Sequence, residues 1–406
     1  MNEIKRFRLF AYTAYFVFGS FMVGFSAAMP SIRVELDLGY EMTGLIFSMG
    51  SWGFIAGAAV MSLLIDFFGV FWPLVLGLAI LSSGAIALTV SASAITVAIA
   101  HLIMMLGASM LEAGIPIMAG EYQRRAEAVR TSKTNHKNPV GLGKLLNLIH
   151  SFFALGAIIG PLLIAGFLGK GLSWRVFFGL FVSFAVGCIL VLFSLKGFQI
   201  LPKPASVIPA QERRFGFARS LTFWMITVGI AMYVSSEIGT SSWTAIYSSD
   251  FLGESPERSS LLPSLFWVGL FVGRVVFSSL VDRLGPSKWL AMISIIGIPV
   301  VFFTLNPVGG WGGLAGFVVL SGLIHATMYP TMQSLIVQRI RKGIGYALAV
   351  FSAIGSVGSS LSALAIGLIS GTAGVQTGYQ SIFIYYVATM VILVSLFVYF
   401  WRKQRT

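Results

Sequence analysis

Ser62-Leu63-Leu64-Ile65-Asp66-Phe67-Phe68-Gly69 and Ser278-Ser279-Leu280-Val281-Asp282-Arg283-Leu284-Gly285 agree at four of eight positions, and each closes a long apolar run. Two copies of one motif at matching places imply an internal repeat. The surrounding sequence says what is repeated. Apolar runs longer than about 18 residues, enough to cross a bilayer as a helix, recur from Phe7 to Trp401. Twelve spans are predicted, over residues 8–30, 42–64, 72–92, 94–119, 144–168, 175–196, 219–248, 259–283, 288–306, 311–338, 344–370 and 378–401. The two motifs close the second and the eighth, six spans apart. Each half also has a Gly-rich fifth helix, carrying Ala154-Leu155-Gly156 and Ala353-Ile354-Gly355.

Between the sixth and seventh spans, Pro202, Pro204, Pro209, Gln211, Glu212, Arg213 and Arg214 form a polar, proline-bearing stretch, the composition of a linker. The expected architecture is an all-α membrane protein. Twelve transmembrane helices form two six-helix pseudo-repeat halves around a central cavity, with residues 1–196 and 218–406 as the halves and 197–217 as a cytoplasmic linker. A parallel repeat of this kind is built for alternating access.

Composition agrees. Of 406 residues 57% are hydrophobic and 10% charged, where soluble domains carry roughly 25% charged side chains. A soluble globular enzyme is excluded. The 45 glycines exceed average usage and suit close helix approach in lipid. Cys188, the one cysteine, supports neither an internal disulfide nor a Cys-rich metal site; no metal and no cofactor are expected.

The net charge of +13 raises the question of nucleic acid, and its placement answers it. With the N-terminus inside, 22 of the 27 Lys and Arg residues fall on the cytoplasmic side, against Arg33, Lys170, Arg175 and Arg258 outside, and Arg274 lies within a span. That asymmetry follows the positive-inside rule and predicts a multi-pass protein of the cytoplasmic (inner) membrane with both termini cytoplasmic. The basic excess adds attraction to anionic lipid; no nucleic-acid partner is expected, and the protein is expected to be a monomer. The first span, with Lys5 and Arg6 before it and Ser26-Ala27-Ala28 near its end, is too long for a signal-peptide core and is kept as a membrane helix. The stretch from Glu121 to Gly143, with Arg124, Arg125, Arg130 and Lys133, is expected as a solvated basic loop, with an amphipathic cytoplasmic helix as the alternative.

The Asp-x-x-Gly turns, Asp66 to Gly69 and Asp282 to Gly285, resemble the signature of the major facilitator superfamily. The first copy departs from it: Ser62 replaces the usual glycine, and Phe71 and Trp72 stand where basic residues are common. Within that superfamily the chain is similar to the fucose:proton symporter family, in particular its glucose-permease-like members. Four stretches carry the likeness: Gly107 to Glu112, Asn147 to Pro161, Tyr233 to Glu237 with Trp243 and Tyr247, and Phe266 to Arg274. The resemblance implies secondary transport with a coupling acid in helix four, matched by Glu112. A second acid of helix one aligns with Ser26, and helix one here carries no acid.

Of the 14 carboxylates, only Glu112 and Glu237 lie well inside spans, and an intramembrane acid is a functional hypothesis by default. Glu112 lies about 16 Å past His101 and Glu237 about 20 Å before Asp250 at the rise of an α-helix. A carboxyl in a partly dehydrated cavity can hold a proton and release it when the cavity rewets. Both are therefore expected as proton-coupling residues, with a structural interhelical hydrogen bond as the competing reading.

Polar and aromatic residues recur around them at helical spacing. Helix seven offers Tyr233, Thr240, Trp243 and Tyr247; helix ten offers His325, Tyr329 and Gln333; helix five offers Asn147 and His150. Neutral donors and acceptors beside aromatic plates suit a polyhydroxylated ring, whose hydroxyls both donate and accept. These nine are the expected substrate-binding residues, and a neutral monosaccharide, a hexose, is the leading substrate, carried with a proton. An anionic substrate calls for free cations, and Arg274 alone qualifies. It lies about 12 Å from the cytoplasmic helix end, where it can instead pair locally.

Asp66, Gly69, Gly156, Gly160, Pro161, Arg274, Asp282 and Gly285 are expected to serve gating and packing. Satisfied interhelical histidines remain an alternative for His150 and His325, and an interface anchor for Trp243. His101 and His136 are expected to be solvated bystanders. No phosphate-cradling or catalytic motif stands out, so the protein is not expected to be an enzyme. Two other functions stay open: a proton-driven exporter of amphipathic drugs or lipids, lined by Phe16, Phe18, Phe21, Phe152 and Phe153, and a membrane sensor that binds without transporting.

Overall fold

The structure, a computed structural model, describes residues 3–131, 142–195, 216–340 and 344–403. Almost every described residue is helical, because lipid offers no partner for backbone amides and a helix satisfies them internally. Among the described residues twelve helices are long and apolar enough to cross a bilayer: Lys5–Leu36, Tyr40–Phe68, Phe71–Val90, Ala94–Gly120, Leu148–Gly169, Arg175–Phe193, Leu221–Asp250, Pro256–Leu284, Pro286–Leu305, Gly310–Arg339, Ala347–Ala373 and Val375–Lys403. They are called spans one to twelve below. All twelve coincide with the predicted segments. Several are longer, since a helix continues past the apolar window until a turn stops it. Gly69 (φ 66°) and Gly285 (φ 83°) stop spans two and eight. Each adopts a backbone conformation open to glycine and costly to other residues, which explains why the Asp-x-x-Gly turn appears twice.

An even number of crossings brings the two ends of the chain to one side, here called the terminal end. The helix of span four runs on from Ala94 to Thr131. Residues 121–131 are therefore helical, a correction to the expected loop. His136 and most of the expected linker lie outside the described residues.

Glycines set the packing, and the two halves repeat it. In the first half, a side chain at Gly53 would strike the Leu102 carbonyl and one at Gly57 the Leu106 carbonyl, so spans two and four touch backbone to backbone. In the second half Gly269 meets the Val319 carbonyl and Gly273 the Leu323 carbonyl. The separation between these glycine pairs is the one that parts Asp66 from Asp282. Spans one and five close in the same way, with Gly19 against the Phe153 carbonyl and Gly156 against that of Phe16. Gly160 abuts Ser20. In the second half the repeat loosens: a Cβ at Gly355 would lie 3.5 Å from Val234, ordinary contact, and Gly358 makes the close approach to Ala231 instead.

The expected consequence is a contrast. Gly156→Val should cost about 1–3 kcal/mol through overpacking, while Gly355→Ala should be tolerated. Thermal denaturation of the two purified variants in detergent checks this, and equal losses would contradict it.

Candidate functional site

The site begins with two prolines. A proline has no amide hydrogen, so inside a helix it leaves the carbonyl four residues earlier without its partner. Pro116 lies within span four and orphans the carbonyl of Glu112. The Tyr15 hydroxyl, from span one, donates to that oxygen at 3.2 Å. In span ten, Pro330 orphans the carbonyl of Ala326, and the helix breaks there into Gly310–His325 and Met328–Arg339. Arg274 Nε donates to the Ala326 carbonyl at 3.3 Å. The Tyr233 hydroxyl lies 2.9 Å from the His325 carbonyl, and Trp289 Nε1 donates to Thr327 Oγ1 at 2.8 Å. Irregular backbone at membrane depth is tolerated where protein groups re-satisfy it, and such breaks mark transporter binding sites.

The two acids gather at these prolines, one from each half. Glu237 is buried, 8% exposed, and its Oε1 lies 2.7 Å from the Tyr233 hydroxyl. Glu112 is half-buried. Tyr329, just past the span-ten break, is within electrostatic reach of both, and its hydroxyl lies 3.3 Å from Ser352 Oγ on span eleven. Arg274 is within electrostatic reach of Glu237 and of His150. His150 is exposed and meets the Tyr15 ring edge-on at 5.2 Å. Glu112, His150, Tyr233, Glu237, Arg274 and Tyr329 thus form one cluster. Among the described residues neither Glu112 nor Glu237 forms an ion pair.

Other expected contacts lie elsewhere. His325 is fully buried; its Nδ1 lies 2.8 Å from the Ser321 carbonyl and its Nε2 3.1 Å from Ser236 Oγ. With both nitrogens engaged it is a strut between spans seven and ten, not the open ligand contact expected. Tyr247 is buried and stacks on Tyr379 of span twelve with ring centres 4.5 Å apart, so it packs within the second half. The turn at residues 326–327 also means that His325, Tyr329 and Gln333 do not share the continuous helix face their spacing implied; Gln333 is half-buried. The side chain of Asn147 lies outside the described residues. His101, expected in solvent, is buried: it stacks on Phe25 at 3.8 Å, and its Nδ1 lies 3.0 Å from the Ile46 carbonyl. Gly50 makes room for that ring.

Thr240 and Trp243 differ from both groups. Both are fully buried, and Trp243 meets Phe47 of span two, across the contact between the halves, at 5.9 Å. Yet Thr240 Oγ1 and Trp243 Nε1 have no hydrogen-bond partner among the described residues. Buried polar atoms are usually bonded, so these two orphans on one span are open positions for a ligand group. Arg274 shows no ion pair with Asp282 among the described residues. Asp66 and Asp282 are exposed at the terminal end, and Pro161 is buried within span five.

The halves meet at the end opposite the termini. Arg33 at the end of span one pairs with Asp250 at the end of span seven, and Tyr40 donates to the same carboxylate at 3.0 Å. Deeper in, Ser48 Oγ lies 2.7 Å from Ser360 Oγ and Ser26 Oγ 3.2 Å from Ser242 Oγ. Ser264 Oγ donates to the Ile158 carbonyl at 2.6 Å, and Phe153 meets Trp267 at 5.5 Å. Toward the terminal end, His150 and Ser352 are exposed. The far end is closed and the cluster opens toward the termini.

The profile of the Major Facilitator Superfamily matches residues 11–363. The chain belongs to the major facilitator superfamily. Members of the superfamily are small-molecule transporters, and the matched family together with the long apolar helices makes this chain an integral multi-pass membrane protein. Bypass of stop codon protein 6 of Saccharomyces cerevisiae is 22% identical over 278 residues, 59% of this chain and 54% of that protein. A putative glucose/galactose transporter of Helicobacter pylori is 25% identical over 152 residues, 37% of this chain and 36% of that protein. The chain spans about half the length or less of these curated relatives. The crystal structure of a D-xylose-proton symporter superposes with TM-score 0.75 at 15% identity, covering 97% of each chain; at that identity the likeness is one of fold.

Sequence reading missed Tyr15, Trp267 and the Arg33–Asp250 pair. Tyr15 was detectable, since it precedes Tyr233 by nearly the separation of the two Asp-x-x-Gly turns. The ion pair was not, because its partners come from spans six apart. Asp250→Asn should loosen the far end. With Cys188 replaced by Ser, a cysteine placed at Ser48 should stay unlabelled by a polar thiol reagent in the parent and label several-fold faster with Asp250→Asn. Equal labelling would show that the pair does not hold the face shut.

Proposed function

We propose that this superfamily member is a secondary active transporter that carries a neutral monosaccharide, a hexose, together with a proton. One observation carries the reading: two carboxyl groups at mid-membrane, one from each half, both within reach of Tyr329 and neither in an ion pair among the described residues. An intramembrane acid without a partner cation is costly unless it serves a proton or substrate. Glu112 and Glu237 are the proton-coupling residues. The closed far end and open terminal end make this the inward-facing state of an alternating-access cycle, with the terminal end cytoplasmic by the positive-inside asymmetry. The membrane is the cytoplasmic one.

Neutral groups dominate the substrate set: the exposed His150, Tyr329, and the buried Thr240 and Trp243, whose side chains are unpartnered among the described residues. Arg274 is engaged with a backbone carbonyl, which favours an uncharged cargo. The glucose/galactose description of one relative supports the same class. The exporter alternative loses much of its aromatic lining, because Phe21 packs on Phe177, Phe178 and Phe181 inside the first half and Phe18 is buried.

Purified protein in liposomes should accumulate labelled glucose when an inward proton gradient is imposed without sodium. Glu112→Gln should abolish that accumulation while leaving sugar exchange in part; undiminished accumulation would remove Glu112 as the coupling site. Thr240→Val separates binding from folding. It deletes a buried unpartnered hydroxyl, so stability should hold or rise by about 1 kcal/mol, while sugar affinity falls by several-fold in equilibrium binding.

A further inference from the structure

The Tyr233 hydroxyl stands between two acceptors, Glu237 Oε1 at 2.7 Å and the His325 carbonyl at 2.9 Å. It has one hydrogen to give. The first acceptor is the side chain that takes up the proton in the reading above, on which this inference rests. The second is backbone at the edge of the break in span ten. No other group in the site touches both.

We propose that Tyr233 is a positioning residue that transmits the proton state of Glu237 to the break in span ten. When Glu237 is ionised, its carboxylate is the stronger acceptor, because a hydrogen bond to a charged oxygen is roughly twice as strong as one between neutral groups. The hydroxyl then turns to Glu237 and the His325 carbonyl is left under-bonded. When a proton arrives on Glu237 the charge is gone, and the hydroxyl goes over to the carbonyl and fastens the break. The proton enters and leaves on Glu237; Tyr233 keeps its own throughout. Tyr329 lies just past the break and meets Ser352 of span eleven at 3.3 Å, so a break that is fastened or released moves the wall that faces the substrate.

The first half supplies the same joint without the switch. There the Tyr15 hydroxyl donates to the Glu112 backbone carbonyl, not to its carboxyl group. One half thus holds the carbonyl freed by its proline permanently, in a helix that stays continuous, and the other holds its break conditionally. The groups facing Glu237 are Tyr233 on its own span, Arg274 from span eight and Tyr329 from span ten, with Glu112 across Tyr329; the His325 ring turns to Ser236 and Ser321 instead. Of these, Tyr233 alone bonds both the carboxyl group and the broken backbone.

The test is amide hydrogen exchange of the whole protein in nanodiscs, read on peptides covering residues 326–331, in acidic and in alkaline buffer. Rates are corrected for the intrinsic effect of pH. Exchange reports local opening of the backbone, so the wild type should exchange several-fold more slowly in acid. Glu237→Gln, neutral at every pH, should show the slow pattern in both buffers. Tyr233→Phe should exchange fast in both, and Tyr15→Phe should keep the wild-type response in span ten. A wild type without a pH response, or a Tyr233→Phe protein that retains it, overturns the proposal. Glu237→Gln probes the same link without touching Tyr233, should Tyr233→Phe fail to fold. The readout needs no sugar, so failed sugar uptake with an intact exchange response would reject the transport reading alone, and proton-driven uptake with no exchange response would reject this inference alone.

Discussion

A carbonyl deprived of its amide in the middle of a membrane has no water to turn to and must take a donor from a neighbouring helix. Helix-internal prolines impose that condition at several points, Pro30, Pro116 and Pro161 in the first half and Pro299 and Pro330 in the second, and the site is arranged around Pro116 and Pro330. Tyr15, Tyr233 and Arg274 are the donors. Because they come from spans one, seven and eight, satisfying the broken helices draws those spans to one place. Glu112 and Glu237 arrive there with them, Glu112 as the residue whose own carbonyl is orphaned and Glu237 one turn past Tyr233. The placement of the acids is thus a consequence of backbone chemistry.

The rigidity that such an arrangement needs comes from glycine. Spans two and four, and their repeats eight and ten, meet through carbonyl contacts that leave no room for a side chain at Gly53, Gly57, Gly269 or Gly273. Each half is therefore a tightly packed body. The joint between the halves mixes two kinds of contact. Gly44 of span two meets the Ala363 carbonyl and Gly367 of span eleven backbone to backbone, and beside them lie serine pairs, two aromatic contacts and the Arg33–Asp250 pair.

The expectations for individual residues divided along a physical line. Those that depended on a group being costly in lipid, Glu112 and Glu237, led to the cluster. Those that depended on helical spacing fared unevenly. Spacing gives the angle of a side chain about its own helix and says nothing of which neighbour waits there. Tyr247 met Tyr379, His325 met Ser236 and the Ser321 carbonyl, and His101 met Phe25 and the Ile46 carbonyl. For span ten the spacing itself failed, because Pro330 broke the helix between His325 and Tyr329.

By itself the sequence determined the class, the twelve spans, the internal repeat and the two acids, because each follows from a local property: the length of an apolar run, the spacing of a turn motif, the price of a charge in hydrocarbon. Only the tertiary structure decided which end is closed, which donor each orphaned carbonyl receives, and that Tyr233 joins Glu237 to the break in span ten. Those are relations between helices far apart in the chain. They depend on how glycine-faced surfaces register against one another, and no single segment encodes that.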